Sequence, residues 1–220
     1  MKKETIMGNN AILTVKEMPY KVKYKMVLDS IKLMQTLVPA FEEKHLGERA
    51  VFEQQEMWRE GIKPIPKDAS NKEKYEIAYG NFIWMAKNNL SYIRKHMGED
   101  GITLFIRAEV EALKRKNAGP ALFFLNLMRI ISPRFAFTMI NKKFSFQLQW
   151  ITPFSVSELT KDRAVFKIPR CKILDFQDTE DVCFIGCLSI YPIWVAEQFK
   201  VRMEFERQDN SCTCTVTPLV

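Results

Sequence analysis

The chain has 220 residues, of which 47% are hydrophobic and 27% charged, and its formal net charge is +7. This length and composition suit one domain with a sizeable core and exclude a disordered chain. The basic residues are distributed among 26 acidic ones, which favours a solvated, mildly basic surface over a nucleic-acid groove. Glycine occurs only eight times and forms no phosphate-binding loop, so nucleotide hydrolysis is excluded as a function.

The longest apolar run, 121–131, is too short to cross a bilayer, and the N-terminal residues lack the apolar core of a signal peptide. We therefore expect a cytoplasmic protein with no membrane span and no nucleic-acid partner. A homodimer is compatible with these properties. The five cysteines are an odd number, and in a reducing compartment they are expected to stay as thiols, ligate a metal or react.

Apolar residues recur at helical spacing in the first half of the chain. The pattern over 20–45 predicts a long amphipathic helix, which continues over 41–59 and ends at an extended linker, 61–66. A second long helix is predicted over 71–97, with Gly98 as its end.

Further helices are predicted before the sheet. A shorter one covers 102–116, and 121–131 is apolar nearly all round, which predicts a buried helix. Ser132-Pro133 is typical of another helix start, with a capping residue before a proline. A short strand is also compatible with 11–15.

Alternating patterns predict the strands. Apolar and polar residues alternate over 144–150, 199–206 and 212–216, and the last two form a hairpin. A further strand is predicted over 164–174, interrupted at Pro169, which indicates an edge strand or a bulge because proline cannot donate a ladder hydrogen bond.

One helix is inserted between these strands. Apolar residues over 181–198 recur three or four apart, as on one face of a helix. Because Pro192 fits best in a first turn, the helix proper is expected to begin near Tyr191, with Cys183 and Cys187 in the loop or turn before it.

These elements predict an α+β fold in which an N-terminal helical layer packs on a C-terminal antiparallel sheet with one inserted helix. The expected segments are a helical segment, 1–66, a helical layer, 67–143, and a cysteine-containing sheet, 144–220. We expect the three to form one compact unit.

The cysteines are the strongest chemical signal. Cys212 and Cys214 lie on one face of the last strand, and Cys171, Cys183 and Cys187 precede them in neighbouring elements. Thiolates from such positions can hold zinc in a closed structural site. Buried free thiols are the simpler alternative, because cysteine is a common core residue, and a reactive thiol is the third.

A catalytic thiol would need a base. The two histidines, His45 and His96, lie in predicted helices remote in sequence, so the acids Glu180 and Asp181 beside the cysteines are the candidates considered with Cys187. Six aromatic or methionine side chains could line an apolar pocket between helices and sheet, or simply form the core. They are Phe124, Phe137, Trp150, Tyr191, Trp194 and Met203.

The cysteine region resembles the L-2-amino-thiazoline-4-carboxylic acid hydrolase-like family and, more distantly, 4-vinyl-reductase-type small-molecule-binding domains. The resemblance covers about 70–218 and depends on a strand ending at Cys171, Cys187 before a helix and a terminal hairpin closing on a cysteine. Where hydrolase-like members have an Asp soon after that helix-opening cysteine, this chain has Leu188, Ser189 and Ile190.

The resemblance implies a hydrolase that cleaves a C–N bond in a small sulfur- or nitrogen-containing metabolite, with Cys187 as the first catalytic candidate. In the sensor-like relatives a Glu and three Cys hold zinc, which would correspond here to Cys187 and Cys212, Glu206, and either Cys171 or Cys183. The alternative function is a non-catalytic small-molecule-binding or sensor domain with structural cysteines.

Overall fold

A helical N-terminal region followed by a four-strand antiparallel sheet makes up the computed structural model, which describes residues 17–219. The predicted α+β class is confirmed. The strand considered over 11–15 lies outside the described residues.

The first two helices are α1, Tyr20–Leu46, and α2, Glu48–Gly61. They are separated by Gly47, whose φ of 89° suits glycine better than a residue with a side chain. Helix α1 continues through Pro39. Its inward stripe packs mainly against α3, Asn71–Lys116, and the segment between α2 and α3 is extended as predicted.

Helix α3 begins with a capping box, in which the Ser70 hydroxyl accepts from the Glu73 backbone and the Glu73 carboxylate accepts from the Ser70 backbone. It kinks at Gly98, where φ is 65° and ψ is −160°. The helix was predicted to end at Gly98. It is interrupted there, and a second helical segment begins immediately after it.

Two predictions about the middle of the chain are wrong. Helix α4, Pro120–Ile131, contains no buried residue, although its apolar composition predicted a buried helix. Residues 144–150 were predicted as a strand, but α5, Pro133–Gln147, and a 3₁₀ turn, Leu148–Trp150, cover them. Burial follows the helical spacing of Phe137, Ile140 and Phe144, which the short alternating pattern concealed.

The sheet contains β1, Ser155–Leu159, β2, Ala164–Ile168, β3, Val201–Gln208, and β4, Ser211–Pro218. The strand order is β1-β2-β4-β3. The β3–β4 hairpin is confirmed, whereas β1 was missed. The edge-strand prediction for β2 is wrong, because β2 lies between β1 and β4 and ends before Pro169.

The inserted helix begins earlier than predicted. It runs from α6, Glu180–Ile185, through a π-helical turn, Gly186–Ile190, into α7, Tyr191–Phe199. Pro192 has no backbone N–H, so the carbonyl of Leu188 receives no helical hydrogen bond from it. The π-turn just before Pro192 widens the helix at that point. Both cysteines of this region therefore lie in the helix rather than in a loop before it.

One hydrophobic cluster extends from Met18 to Val216 and includes residues from all three predicted segments. Among the described residues, a single helix, Glu180–Phe199, is long and apolar enough to cross a membrane by length and composition alone. Val182, Ile185 and Val195 on this helix are buried in the same cluster, as expected of a core helix.

Candidate functional site

A cavity of about 100 Å³ lies where α1, α3 and the inserted helix meet. Most of its lining is aliphatic or aromatic. A second cavity, of about 230 Å³, shares Ser30, Leu113, Trp150 and Tyr191 with the first. The two cavities are therefore neighbours that these side chains separate.

Two tyrosines of α3 position one wall of the first cavity. The Tyr75 hydroxyl donates to the Trp150 carbonyl at 2.9 Å, and the Tyr79 hydroxyl donates to the Ile151 carbonyl at 2.7 Å. Burial raises the pKa of both phenols, so they remain hydrogen-bond donors. Trp150 and Ile151, which line the cavity, are held against α3 by these bonds.

Glu109 is the acidic residue of the first cavity. It lies on α3, and among the described residues its carboxylate has no ion-pair partner. Burial raises its pKa to about 7, because the charged form loses hydration that no cation replaces. A carboxyl group with that pKa can both take up and release a proton near neutral pH.

Cys187 and Tyr191 face the same cavity from the inserted helix. Burial raises the pKa of Tyr191, and Cys187 and Glu109 raise it further, in that order. Tyr191 therefore lies close enough to both Cys187 and Glu109 to interact with each of them electrostatically. The π-turn contributes to this geometry, because it places Gly186, Cys187 and Ile190 in the cavity wall.

Three thiols form a series that begins at Cys187 in the cavity wall and continues through Cys183 to Cys171. A hydrogen bond to Cys183, followed by burial, raises the pKa of Cys171. For Cys183, the hydrogen bond with Cys171 lowers the pKa, but the bond with Cys187 and burial outweigh it and leave a value of about 11. The structure therefore brings Cys183 next to both Cys171 and Cys187.

The two thiols of β4 differ in position. Cys212 is half-buried, and its pKa is raised to about 11 by burial and then by Cys183 and Cys171. Cys214 is buried deeper on the same sheet face, opposite Phe166 and Phe205 in register. The Cys171 N–H donates to the Asn210 carbonyl at 2.7 Å, which ties Cys171 to the hairpin turn beside Cys212.

Glu206 is exposed and pairs in register with Thr213, so it lies on the sheet face opposite Cys212. Within residues 17–219, no group of three or more His, Cys, Asp or Glu side chains is arranged to hold a metal ion. Zinc binding by these cysteines stays a prediction.

The acids predicted to assist Cys187 lie outside the cavity. Glu180 is exposed, and Asp181 pairs with Arg94 on the surface. The two histidines contact aromatic rings, His45 that of Phe41 and His96 that of Tyr92. Neither histidine lines the cavity.

The six predicted pocket residues are divided among several locations. Trp150 and Tyr191 line both cavities, whereas Trp194 and Met203 line the second one only. Phe124 is half-exposed and borders a separate cleft between α4 and α5, and Phe137 is buried in the core.

Sequence reasoning missed Glu109, although a signal for it was present. Glu109 is four residues from Phe105 and four from Leu113, so it shares their helix face. A carboxylate on an apolar stripe is expensive unless it has a partner or a function. That position could therefore have been identified from spacing alone.

The fold and the site together define an α+β protein with an apolar cavity that presents a thiol, a phenol and a carboxyl group of raised pKa. Comparisons of the chain with protein-family models, curated proteins and solved structures give no match. The resemblance to the hydrolase-like family therefore stays a hypothesis, and the site's own geometry carries the functional argument.

Proposed function

We propose that the protein is a hydrolase in which Cys187 attacks a small, largely apolar molecule bound in the first cavity, with Glu109 as its acid–base partner. The single observation that carries this proposal is that Cys187, Glu109 and Tyr191 line one apolar cavity. The resemblance stated above supports a substrate with a C–N bond in a small sulfur- or nitrogen-containing metabolite.

The reaction needs a thiolate and a base. Glu109 accepts the thiol proton of Cys187 as its sulfur bonds to the electrophilic carbon of the substrate. The C–N bond then breaks, and Glu109 returns the proton to the departing nitrogen. Water, giving a proton to Glu109, adds to the thioester, and the thiol of Cys187 re-forms with that proton.

The apolar lining of the cavity raises the pKa of Glu109 and so makes it a better base. A carboxyl with the ordinary pKa of about 4.3 would be a weak base at neutral pH. With a pKa of about 7, Glu109 is present in both protonation states under those conditions. Tyr191, held protonated by its raised pKa, can donate a hydrogen bond to the oxygen that gains charge during attack.

The cavity volume limits the ligand. A cavity of about 150 Å³ holds a molecule the size of benzene, so the first cavity, at about 100 Å³, suits a small ligand. A larger ligand would also occupy the second cavity by displacing the side chains that the two share, Tyr191 among them.

A non-catalytic binding module is the second candidate. It is favoured by the raised pKa values of Cys171, Cys183 and Cys212, which keep these thiols protonated and unreactive at neutral pH. In that case the cavity binds its ligand without turnover, and Cys187 is one more structural thiol.

The test uses p-nitrophenyl acetate as a probe of acyl transfer. Wild-type protein is expected to release p-nitrophenol catalytically and to carry an acetyl group on the peptide containing Cys187. Cys187→Ser and Glu109→Gln should each lower the rate at least tenfold, whereas Glu111→Gln, an exposed acid on the same helix, should match wild type. Equal rates in all four proteins would favour the binding module.

A further inference from the structure

The excess positive charge of the chain comes from one stretch. Residues 112–157 contain seven Lys and Arg residues and no acid, and the other 26 basic residues equal the 26 acidic ones in number. The stretch therefore accounts for the whole formal charge of +7. Lys114, Arg115 and Lys116 of this stretch end α3, and the other four basic residues belong to α4, which was expected to be buried, and to α5.

The same two helices expose the most apolar surface. Phe123 is 74%, Ile130 80% and Ile131 67% exposed. On α5, the outer side chains Phe135 and Met139 are also exposed. Exposed apolar side chains concentrated on two neighbouring helices are typical of an interaction site.

Basic residues lie at both ends of the hairpin. Arg129 and Arg134 lie on either side of the turn at Ser132, and Lys142 and Lys143 follow on the exposed side of α5. Arg134 reaches Asp162 at 3.7 Å, whereas among residues 17–219 neither Lys142 nor Lys143 has an ion-pair partner. Lysine side chains without an ion-pair partner lie on the same hairpin as exposed Phe and Ile side chains. This combination fits a partner with an anionic surface and an apolar interior.

We propose that the α4–α5 hairpin binds the surface of an anionic lipid bilayer, with its exposed apolar side chains inserted among the acyl chains and its basic residues at the headgroups. Interfacial helices combine an apolar face with Lys and Arg in this way. Helix α4 has 12 residues, about 18 Å of helix, so it lies in the interface and does not span the bilayer. The inference is independent of the cavity.

A second copy of the chain fits this face less well. In a two-fold dimer the same patch meets itself, so two basic patches from a stretch with no acid would face each other. An anionic bilayer neutralises these charges instead.

The test is co-sedimentation of the full chain with vesicles of phosphatidylcholine, with and without about a third phosphatidylglycerol. Wild type is expected to sediment with the anionic vesicles and to be released by high salt. The double variant Phe123→Glu/Ile130→Glu should lose this binding, and Lys142→Gln/Lys143→Gln should weaken it roughly tenfold.

Matched controls are Phe52→Glu, an exposed aromatic on α2, and Lys21→Gln/Lys25→Gln, an exposed pair on α1. Both should bind like wild type, with circular dichroism spectra unchanged in all variants. Wild type that stays in the supernatant, or equal sedimentation of every variant, would overturn the proposal. So would a wild-type dimer that Phe123→Glu/Ile130→Glu dissociates, which would assign the patch to a second copy.

Discussion

Glu109 and Cys187 line the same apolar cavity from α3 and the π-turn, and each raises the pKa of Tyr191 between them in the wall. Neither residue is near the other in sequence. The fold places Glu109, a potential base, in the same cavity as the Cys187 thiol. The acids near Cys187 in sequence, Glu180 and Asp181, are exposed.

A glycine in the π-turn provides a test of the cavity. A side chain added at Gly186 would meet no atom within 4 Å, so Gly186→Ala should stabilise the protein by roughly 0.5–1 kcal/mol through its better helix propensity. Gly186→Leu should fill the cavity and reduce the p-nitrophenyl acetate rate. Urea denaturation and the esterase assay measure the two effects.

Gly101→Ala is the matched control. A Cβ at Gly101 in α3 would collide with the Cβ of Met97. This change should therefore destabilise the protein, although it is the same Gly→Ala substitution within a helix. Destabilisation by Gly186→Ala of the same size would show that the space beside the π-turn is not open.

A buried carboxyl in α1 should make stability depend on pH. Glu42 is 0% exposed, its carboxylate oxygens have no hydrogen-bond partner, and burial raises its pKa to about 8. Because the native state holds this proton when the unfolded state has lost it, stability should fall as pH rises from about 4.5 to 8, by roughly 3 kcal/mol.

Glu42→Gln should remove this loss, so its free energy of unfolding should equal that of wild type near pH 5 and exceed it near pH 8. Urea denaturation at both pH values measures the difference. Glu43→Gln, the exposed neighbour, should follow wild type at both. A wild-type protein equally stable at the two values would contradict the buried position of Glu42.

The Tyr79 hydroxyl should stabilise the cavity wall. Tyr79→Phe leaves the Ile151 carbonyl without its 2.7 Å donor and is expected to cost about 1–2 kcal/mol in the free energy of unfolding. Tyr24→Phe, on a tyrosine whose hydroxyl has no hydrogen bond among the described residues, should cost much less. Similar costs for both would show that the bond contributes little.

Elemental analysis separates the thiol series from a zinc site. The two alternatives differ in metal content, since a series of free thiols predicts substoichiometric zinc in the purified protein and the sensor-like ligand set predicts one zinc per chain. One zinc per chain that is lost in Cys171→Ser would instead establish the sensor-like ligand set.

The helical N-terminal region and the terminal hairpin could be predicted because their apolar spacing extends over many residues. Residues 144–150 could not, because a few alternating residues fit a strand and a helix equally well. Burial depends on what packs against an element, so the exposure of α4 was hidden by its composition. The concentration of charge in 112–157 was visible in the sequence and was overlooked because only the overall balance was considered.

The candidate site was predictable in part. The strand and helix patterns placed Cys171, Cys183 and Cys187 in neighbouring elements, although the helix began earlier than expected. The role of Glu109 depends on desolvation, which only the packed structure reveals. Its position on an apolar helix face was the one available clue.

The most direct test of the central claim is the pH dependence of Cys187 acetylation by p-nitrophenyl acetate, followed by peptide mass spectrometry. The account predicts that the wild-type rate rises with pH through about 7, as Glu109 loses its proton, and that Glu109→Gln loses this step while Glu111→Gln keeps it. A wild-type profile without that step, or one unchanged by Glu109→Gln, would contradict the pairing of Glu109 with Cys187.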